Sequence, residues 1–147
     1  LIPNGSLVIN GRSKDTIVLS SGENIEPNPL ETQILASDLI LQVQLVGQDK
    51  KQLAALIVPN LEYIELNYYE RDLNKINENK IIRNFFKLKI NNLLKNRIGY
   101  RIEEQIINCF FVQPFTIENG LLTQTLKQKR KEINILYTEN IEEMYKK

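Results

Sequence analysis

Lys127, Lys129, Arg130 and Lys131 place four cations within five residues near the C-terminal end, soon after the polar string Glu118-Asn119-Gly120. A cluster of this kind can hold phosphate oxygens, and taken alone it also reads as a solvated helix face or a nucleic-acid patch. A second charged string, Gly11-Arg12-Ser13-Lys14-Asp15, opens a stretch that runs on to Gly22-Glu23-Asn24. By itself a Gly-Arg-x-Lys-Asp string is a weak signal. The chain has no histidine and one cysteine, so neither a zinc site nor a Ser-His-Asp triad can be assembled from it alone.

These residues need a scaffold, and the composition allows one. A length of 147 residues fits one domain with its own core. Hydrophobic residues make up 42% and charged residues 25%, the balance of a globular protein. The net charge of +1 provides no global field for nucleic acid or an anionic membrane, so any electrostatic partner must be met by a local patch. Cys109 has no second cysteine to pair with and lies in the apolar run Ile106–Val112, which reads as a buried small hydrophobe in a reducing compartment. No run approaches 18 apolar residues and the first residues do not form a basic and apolar leader, so neither a membrane span nor a secretory signal is expected. The sequence starts at Leu1 without methionine, as a fragment of a longer polypeptide would.

The patterning predicts an α+β fold, a small antiparallel sheet flanked by helices. Ser6–Ile9 and Thr16–Leu19 read as two strands around the polar turn from Asn10 to Asp15, with Gly22 breaking the second run. Asn28, Pro29 and Glu31 read as a helix start, with Asn28 as the cap, Pro29 as the first helical residue and Glu31 as a first-turn acid. That helix is expected to reach about Ala36. Leu39–Val46 and Leu53–Val58, joined by Gly47-Gln48-Asp49-Lys50-Lys51, read as an antiparallel hairpin. From Ile81 to Ile98 the residues Ile81, Phe85, Leu88, Leu93 and Leu94 suggest an amphipathic helix packed on the sheet. Ile106–Val112 reads as a further strand, and a polar loop from Thr116 leads to a helix from about Lys127. Phe85, Phe86, Phe110 and Phe111 sit in periodic apolar runs and read as core rather than as an acyl pocket.

Two segments are more specific than composition requires. The stretch from Gly11 to Pro27, with Glu31 following, resembles the hinge-region motif of the adenylate-forming (AMP-binding) superfamily in its long-chain acyl-CoA and acyl-acyl-carrier-protein synthetase form. The stretch Glu118–Arg130 resembles the terminal lysine motif of the same family, in the expected order and distance. Val43–Asn60 is similar to the middle of that domain, particularly in cyanobacterial and plastid acyl-carrier-protein synthetases. The likeness weakens only through roughly residues 63–101, which read as a helical surface insertion that tolerates change.

The resemblance implies one C-terminal lid domain over residues 1–147, with the large ATP-binding body absent from the chain. It implies that Lys127 is the catalytic cation, reaching the acyl group and phosphate where two anions are pushed together. Arg12 would contact the nucleotide, and Lys14 with Asp15 would form the hinge about which the lid turns. Gly22, Glu23 and Asn24 would line the channel for a phosphopantetheine thiol. ATP is the implied cofactor, with its Mg2+ held by the body and not by this chain. The implied partners are an N-terminal AMP-binding domain in cis or in trans, a fatty acid, and acyl carrier protein or CoA, with no nucleic acid and no transmembrane segment. A plastid stroma or cyanobacterial cytoplasm is the implied location. Leu126 stands where many superfamily members carry glycine, and Gln124 replaces the proline usual in the long-chain form, which predicts a less stiff loop. Two other readings remain: a preserved lid without catalytic function, and a nucleic-acid binder using Lys127–Lys131, whose affinity would fall steeply with salt.

Overall fold

The computed structural model describes residues 15–146. Arg12, Lys14 and the expected strand at Ser6–Ile9 lie outside the described residues. In chain order the elements are β1 (Ile17–Val18), β2 (Asn24–Ile25), α1 (Pro27–Ile34), β3 (Ile40–Val46), β4 (Leu53–Pro59), α2 (Leu61–Tyr68), α3 (Leu73–Glu78), α4 (Lys80–Lys95), β5 (Ile106–Phe111), α5 (Arg130–Leu136) and α6 (Thr138–Met144). The fold is α+β.

Alternation along β4 decides the layering. Leu53, Ala55 and Ile57 join one apolar cluster with Ile34 of α1, Ile64 of α2, Ile76 of α3 and Phe86 of α4. Ala54, Leu56 and Val58 join a second cluster with Ile133 of α5 and Met144 of α6. A strand covered on both faces reads as an unbroken apolar run, and Leu53–Val58 has that pattern. Strand β4 is therefore the middle layer, with α1 to α4 on one side and α5 and α6 on the other.

Strands β3 and β4 pair antiparallel, Val43 opposite Ile57, as the Gly47–Lys51 turn predicts. Strand β5 lies on the other side of β4 and runs parallel to it, Leu56 opposite Phe110, so the sheet is mixed. A parallel pair needs a long crossover, and α2, α3 and α4 provide it. Residues 63–101 are thus not a mere surface insertion, because α4 fully buries Ile82, Phe86, Ile90 and Leu94.

The buried stripe of α4 is also rotated from the expected one. Ile81 and Leu88 are exposed, at 71% and 61%. Two contacts fix the rotation. The Asn79 carboxamide caps the first turn by accepting from the Ile81 and Ile82 amides. Asn91 donates to the Ile106 carbonyl at 2.9 Å and accepts from the Ile106 amide at 2.8 Å, tying α4 to the start of β5. Among the four phenylalanines, Phe86 and Phe111 are fully buried edge to face at 5.0 Å, while Phe85 and Phe110 are half-buried against the two clusters.

Helix α1 starts at Pro27, two residues before the expected Pro29, with Glu26 at the cap position. The Asn28 side chain points elsewhere, as described below. The β1–β2 hairpin docks on the β3–β4 turn, where the Asp49 amide donates to the Val18 carbonyl at 2.9 Å and the Ser20 amide donates to the Lys50 carbonyl at 2.8 Å. The expected buried thiol is found: Cys109 is fully buried, and burial pushes its pKa up to about 12, against the weaker opposing fields of Arg83 and Lys87.

Candidate functional site

Helix α5 begins at Arg130, not near Lys127, and Lys127 lies in a hairpin that precedes it. The stem of this hairpin is held by the apolar anchors Leu121 and Leu122, both buried, and by the bridge between Leu122 and Gln128. The Lys129 amide donates to the Leu121 carbonyl at 2.9 Å. Upstream, Asn119 knots the loop: its Oδ1 accepts from the Thr116 amide at 3.0 Å and its Nδ2 donates to the Pro114 carbonyl at 3.0 Å.

The tip is closed by main-chain bonds. The Leu126 amide donates to the Thr123 carbonyl at 2.8 Å, and the Thr123 amide donates to the Lys127 carbonyl at 2.8 Å. The Thr123 hydroxyl accepts from the Lys127 amide at 3.1 Å. This bonding fixes the Lys127 backbone while the side chain stays exposed, and among the described residues no carboxylate pairs with it. A cation held in this way needs little reorganisation to meet an anion.

The Gly22 hairpin has the same construction. Its Gly22 amide donates to the Leu19 carbonyl at 2.9 Å, and its Leu19 amide donates to the Glu23 carbonyl at 2.9 Å. Each tip has a left-handed residue at the equivalent place, Gly22 at φ 92° and Leu126 at φ 67°. A Cβ built on Gly22 meets nothing within 4 Å, so glycine is needed there for its backbone angle rather than for space. Leu126 adopts that angle with a side chain, at a cost of about 1–2 kcal/mol.

The missing glycine therefore stores strain beside Lys127. We expect Leu126→Gly to raise stability in chemical denaturation by up to about 1 kcal/mol, the relief less the entropy cost of glycine. Leu126→Ala keeps the strain and gains nothing, since the leucine side chain is 66% exposed and contributes little burial. A glycine variant less stable than the alanine variant would contradict this account.

Behind the lysine hairpin lies a polar cluster that the sequence reading missed. Arg130 donates to Glu31, from Nη1 to Oε2 at 2.8 Å and from Nη2 to Oε1 in a short second bond. Arg130 Nη2 also donates to Asn28 Oδ1 at 2.8 Å, and its Nε lies 3.6 Å from Asp15 Oδ1. Asn28 Nδ2 donates to Asp15 Oδ2 at 3.2 Å. Glu31 is not simply a helix-start acid. It is buried, and its Oε2 accepts from the Leu45 amide at 2.8 Å. Burial works against the Arg130 charge, but the hydrogen bond to Glu31 and the fields of Glu31 and Asp15 outweigh it and raise the pKa.

Gln44, fully buried on β3, adds a second tie. Its Nε2 donates to the Arg130 carbonyl at 3.1 Å, and its Oε1 accepts from Gln128 Nε2 at 3.1 Å. Asp15, Gln44, Gln128 and Arg130 line an open cleft of about 830 Å³. The structure thus joins Asp15, expected from the sequence as part of a hinge, to the lysine hairpin through Arg130. It does not join Glu23 and Asn24 to that cluster. Arg101 holds them instead, donating to Glu23 Oε1 at 2.8 Å and to the Asn24 carbonyl at 3.0 Å. The sequence signal for the Arg130–Glu31 pair was that Arg130 ends one of the two specific segments and Glu31 follows the other.

Residues 14–85 match the family described as AMP-binding enzyme, C-terminal domain. Over 97% of its length the chain is 34% identical to the probable acyl-activating enzyme 16, chloroplastic, of Arabidopsis thaliana, of which it spans 20%. Over 96% of its length it is 34% identical to the long-chain-fatty-acid–[acyl-carrier-protein] ligase AEE15, chloroplastic, of the same plant, spanning 18% of that protein. The human long-chain-fatty-acid–CoA ligase 1 is 29% identical over 98% of the chain. The chain therefore spans about a fifth of the length of these curated relatives. Among solved structures, the A domain of a carboxylic acid reductase from Segniliparus rugosus, in complex with AMP and a carboxylic acid, superposes on 90% of the chain with a TM-score of 0.74 and 25% identity, the match spanning 20% of that structure.

Proposed function

Because the chain belongs to the C-terminal domains of the AMP-binding, adenylate-forming enzymes, we propose that it acts as the mobile lid of a fatty-acid-activating ligase. The reading is carried by Lys127: an exposed ammonium, without an ion pair among the described residues, on a hydrogen-bonded hairpin with Arg130 and Gln44 anchoring its base. In the first half-reaction a fatty-acid carboxylate oxygen bonds to the α-phosphorus of ATP while the bond to the β-phosphate breaks and pyrophosphate leaves. Negative charge gathers on the phosphoryl oxygens, and Lys127 stabilises it. Arg12 contacts the nucleotide, and the body domain, in cis or in trans, supplies the phosphate loop, the acyl pocket and the Mg2+ site.

In the second half-reaction the lid turns about Lys14 and Asp15 and presents the Gly22–Asn24 hairpin. A phosphopantetheine thiol then attacks the acyl carbonyl, loses its proton and displaces AMP. Two separately anchored tips on one body suit this alternation. The thiol belongs to acyl carrier protein or CoA, and the site of action is a plastid or a cyanobacterial cytoplasm. The plastid is supported by the two chloroplastic relatives, and acyl carrier protein by the name of one of them.

The test is co-expression with an AMP-binding body domain, followed by an assay of fatty-acid-dependent pyrophosphate release. Release is expected only when both parts are present. Exchange of pyrophosphate into ATP by the 147-residue chain alone would overturn the lid reading.

A further inference from the structure

From Asn79 to Ile102 the chain carries seven of its 19 cations and none of its 18 acids. An AT-rich coding bias favours lysine and asparagine, but it gives no reason for acids to be excluded from this stretch alone. Three of the seven cations are engaged. Arg83 donates to Asn108, Arg97 to Glu104, and Arg101 to Glu23. The other four, Lys80, Lys87, Lys89 and Lys95, have no ion pair among the described residues.

Helical spacing arranges them. Ile81, Leu88 and Lys95 stand at seven-residue intervals and form one row along the outer face of α4. Lys80 and Lys87 form a row on one side of it, and Lys89 lies on the other side. The outer face is thus an apolar ridge flanked by free ammonium groups, about 24 Å long for 16 residues. The inner face of α4 is spent on the core, so the helix itself offers a bilayer only the short ridge of Ile81 and Leu88, too little for an interfacial helix. A nucleic-acid backbone would have no use for the ridge, whereas an acidic protein helix with apolar residues between its carboxylates matches both features.

The C-terminal end of the basic stretch meets the thiol-channel hairpin, through the bonds of Arg101 to Glu23 and Asn24. We propose that the outer face of α4 is the docking surface for an acidic carrier-protein domain that brings its thiol to the Gly22–Asn24 hairpin. This rests on the thiol-channel reading of that hairpin, and it makes the thiol donor protein-borne rather than free CoA.

The full 147-residue chain is titrated with purified holo acyl carrier protein, and separately with phosphatidylglycerol vesicles and a DNA duplex. Carrier binding is expected at about 50 mM salt and should weaken at about 300 mM, where charges are screened over shorter distances. The double reversal Lys89→Glu/Lys95→Glu should weaken binding by about tenfold or more, while Lys51→Glu, on the β3–β4 turn, leaves it unchanged. All three lysines are exposed, and unaltered melting curves check that each variant folds. Carrier binding that ignores the double reversal overturns the proposal. So does tighter binding of vesicles or DNA that the same reversal abolishes. Normal pyrophosphate release in the co-expression assay without carrier binding refutes the docking surface alone, and carrier binding without release refutes the enzymatic reading alone.

Discussion

Replacing Lys127 by alanine in the two-part enzyme is expected to slow acyl-adenylate formation by roughly a hundredfold to a thousandfold, the usual loss for one pre-placed donor to a developing anion. Thioester formation from preformed adenylate should be largely spared, because the proposed thiol route runs past the other hairpin. Folding should not change, since the side chain is exposed and unpaired among the described residues. Half-reaction assays on chemically supplied acyl-adenylate separate the two effects. Equal loss in both half-reactions would remove the assigned role, because a general weakening of the lid would slow both. Lys127→Arg keeps the charge but replaces a compact ammonium by a planar fork, so it should recover only part of the rate.

The second large effect is expected at Arg130. Truncation to alanine leaves the Glu31 carboxylate buried, with the Leu45 amide as its remaining donor among the bonds described. Breaking a buried pair in this way costs about 3–5 kcal/mol. With side-chain exposures of 16% for Arg130 and 8% for Glu31, the lower end is the better expectation. That is a large share of a domain stability of about 5–15 kcal/mol. Glu31→Gln should cost less, because the amide oxygen can still accept from Leu45 and Arg130 while the charge is lost. A double-mutant cycle in urea measures the coupling, and a value near zero would show the pair to be incidental. In the two-part enzyme, a folded Arg130→Lys variant should still form adenylate more slowly than the unchanged chain. One ammonium cannot serve Glu31, Asn28 and Asp15 together, and the base of the lysine hairpin loosens.

Much of this architecture was legible in the sequence. The apolar runs at Leu39–Val46 and Leu53–Val58, with a polar five-residue turn between them, announce the hairpin, and Asn28-Pro29 lies within two residues of the true helix start. What failed did so for physical reasons. Residues 81–94 contain enough isoleucine, leucine and phenylalanine to support two stripes, and the choice is made by Asn79 and Asn91, whose bonds are invisible to periodicity. The parallel direction of β5 follows from the chain reaching it through three helices, and no local signal encodes it. The Arg130–Glu31 bond spans 99 positions. Lys127 was singled out by motif as the candidate catalytic cation, but its place on a hairpin before α5 was not legible, because lysine-rich sequence looks helical whether or not a strained turn interrupts it. Leu126 supplies that turn.

Burial of β4 on both faces has a mechanical consequence. One strand is shared by both helical layers, so neither layer can slide without tearing the packing of the other, and close-packed interiors resist such shear. The Gly22 hairpin, whose Leu19 packs in one cluster, and the lysine hairpin, whose Leu121 packs in the other, accordingly hang from a single spine.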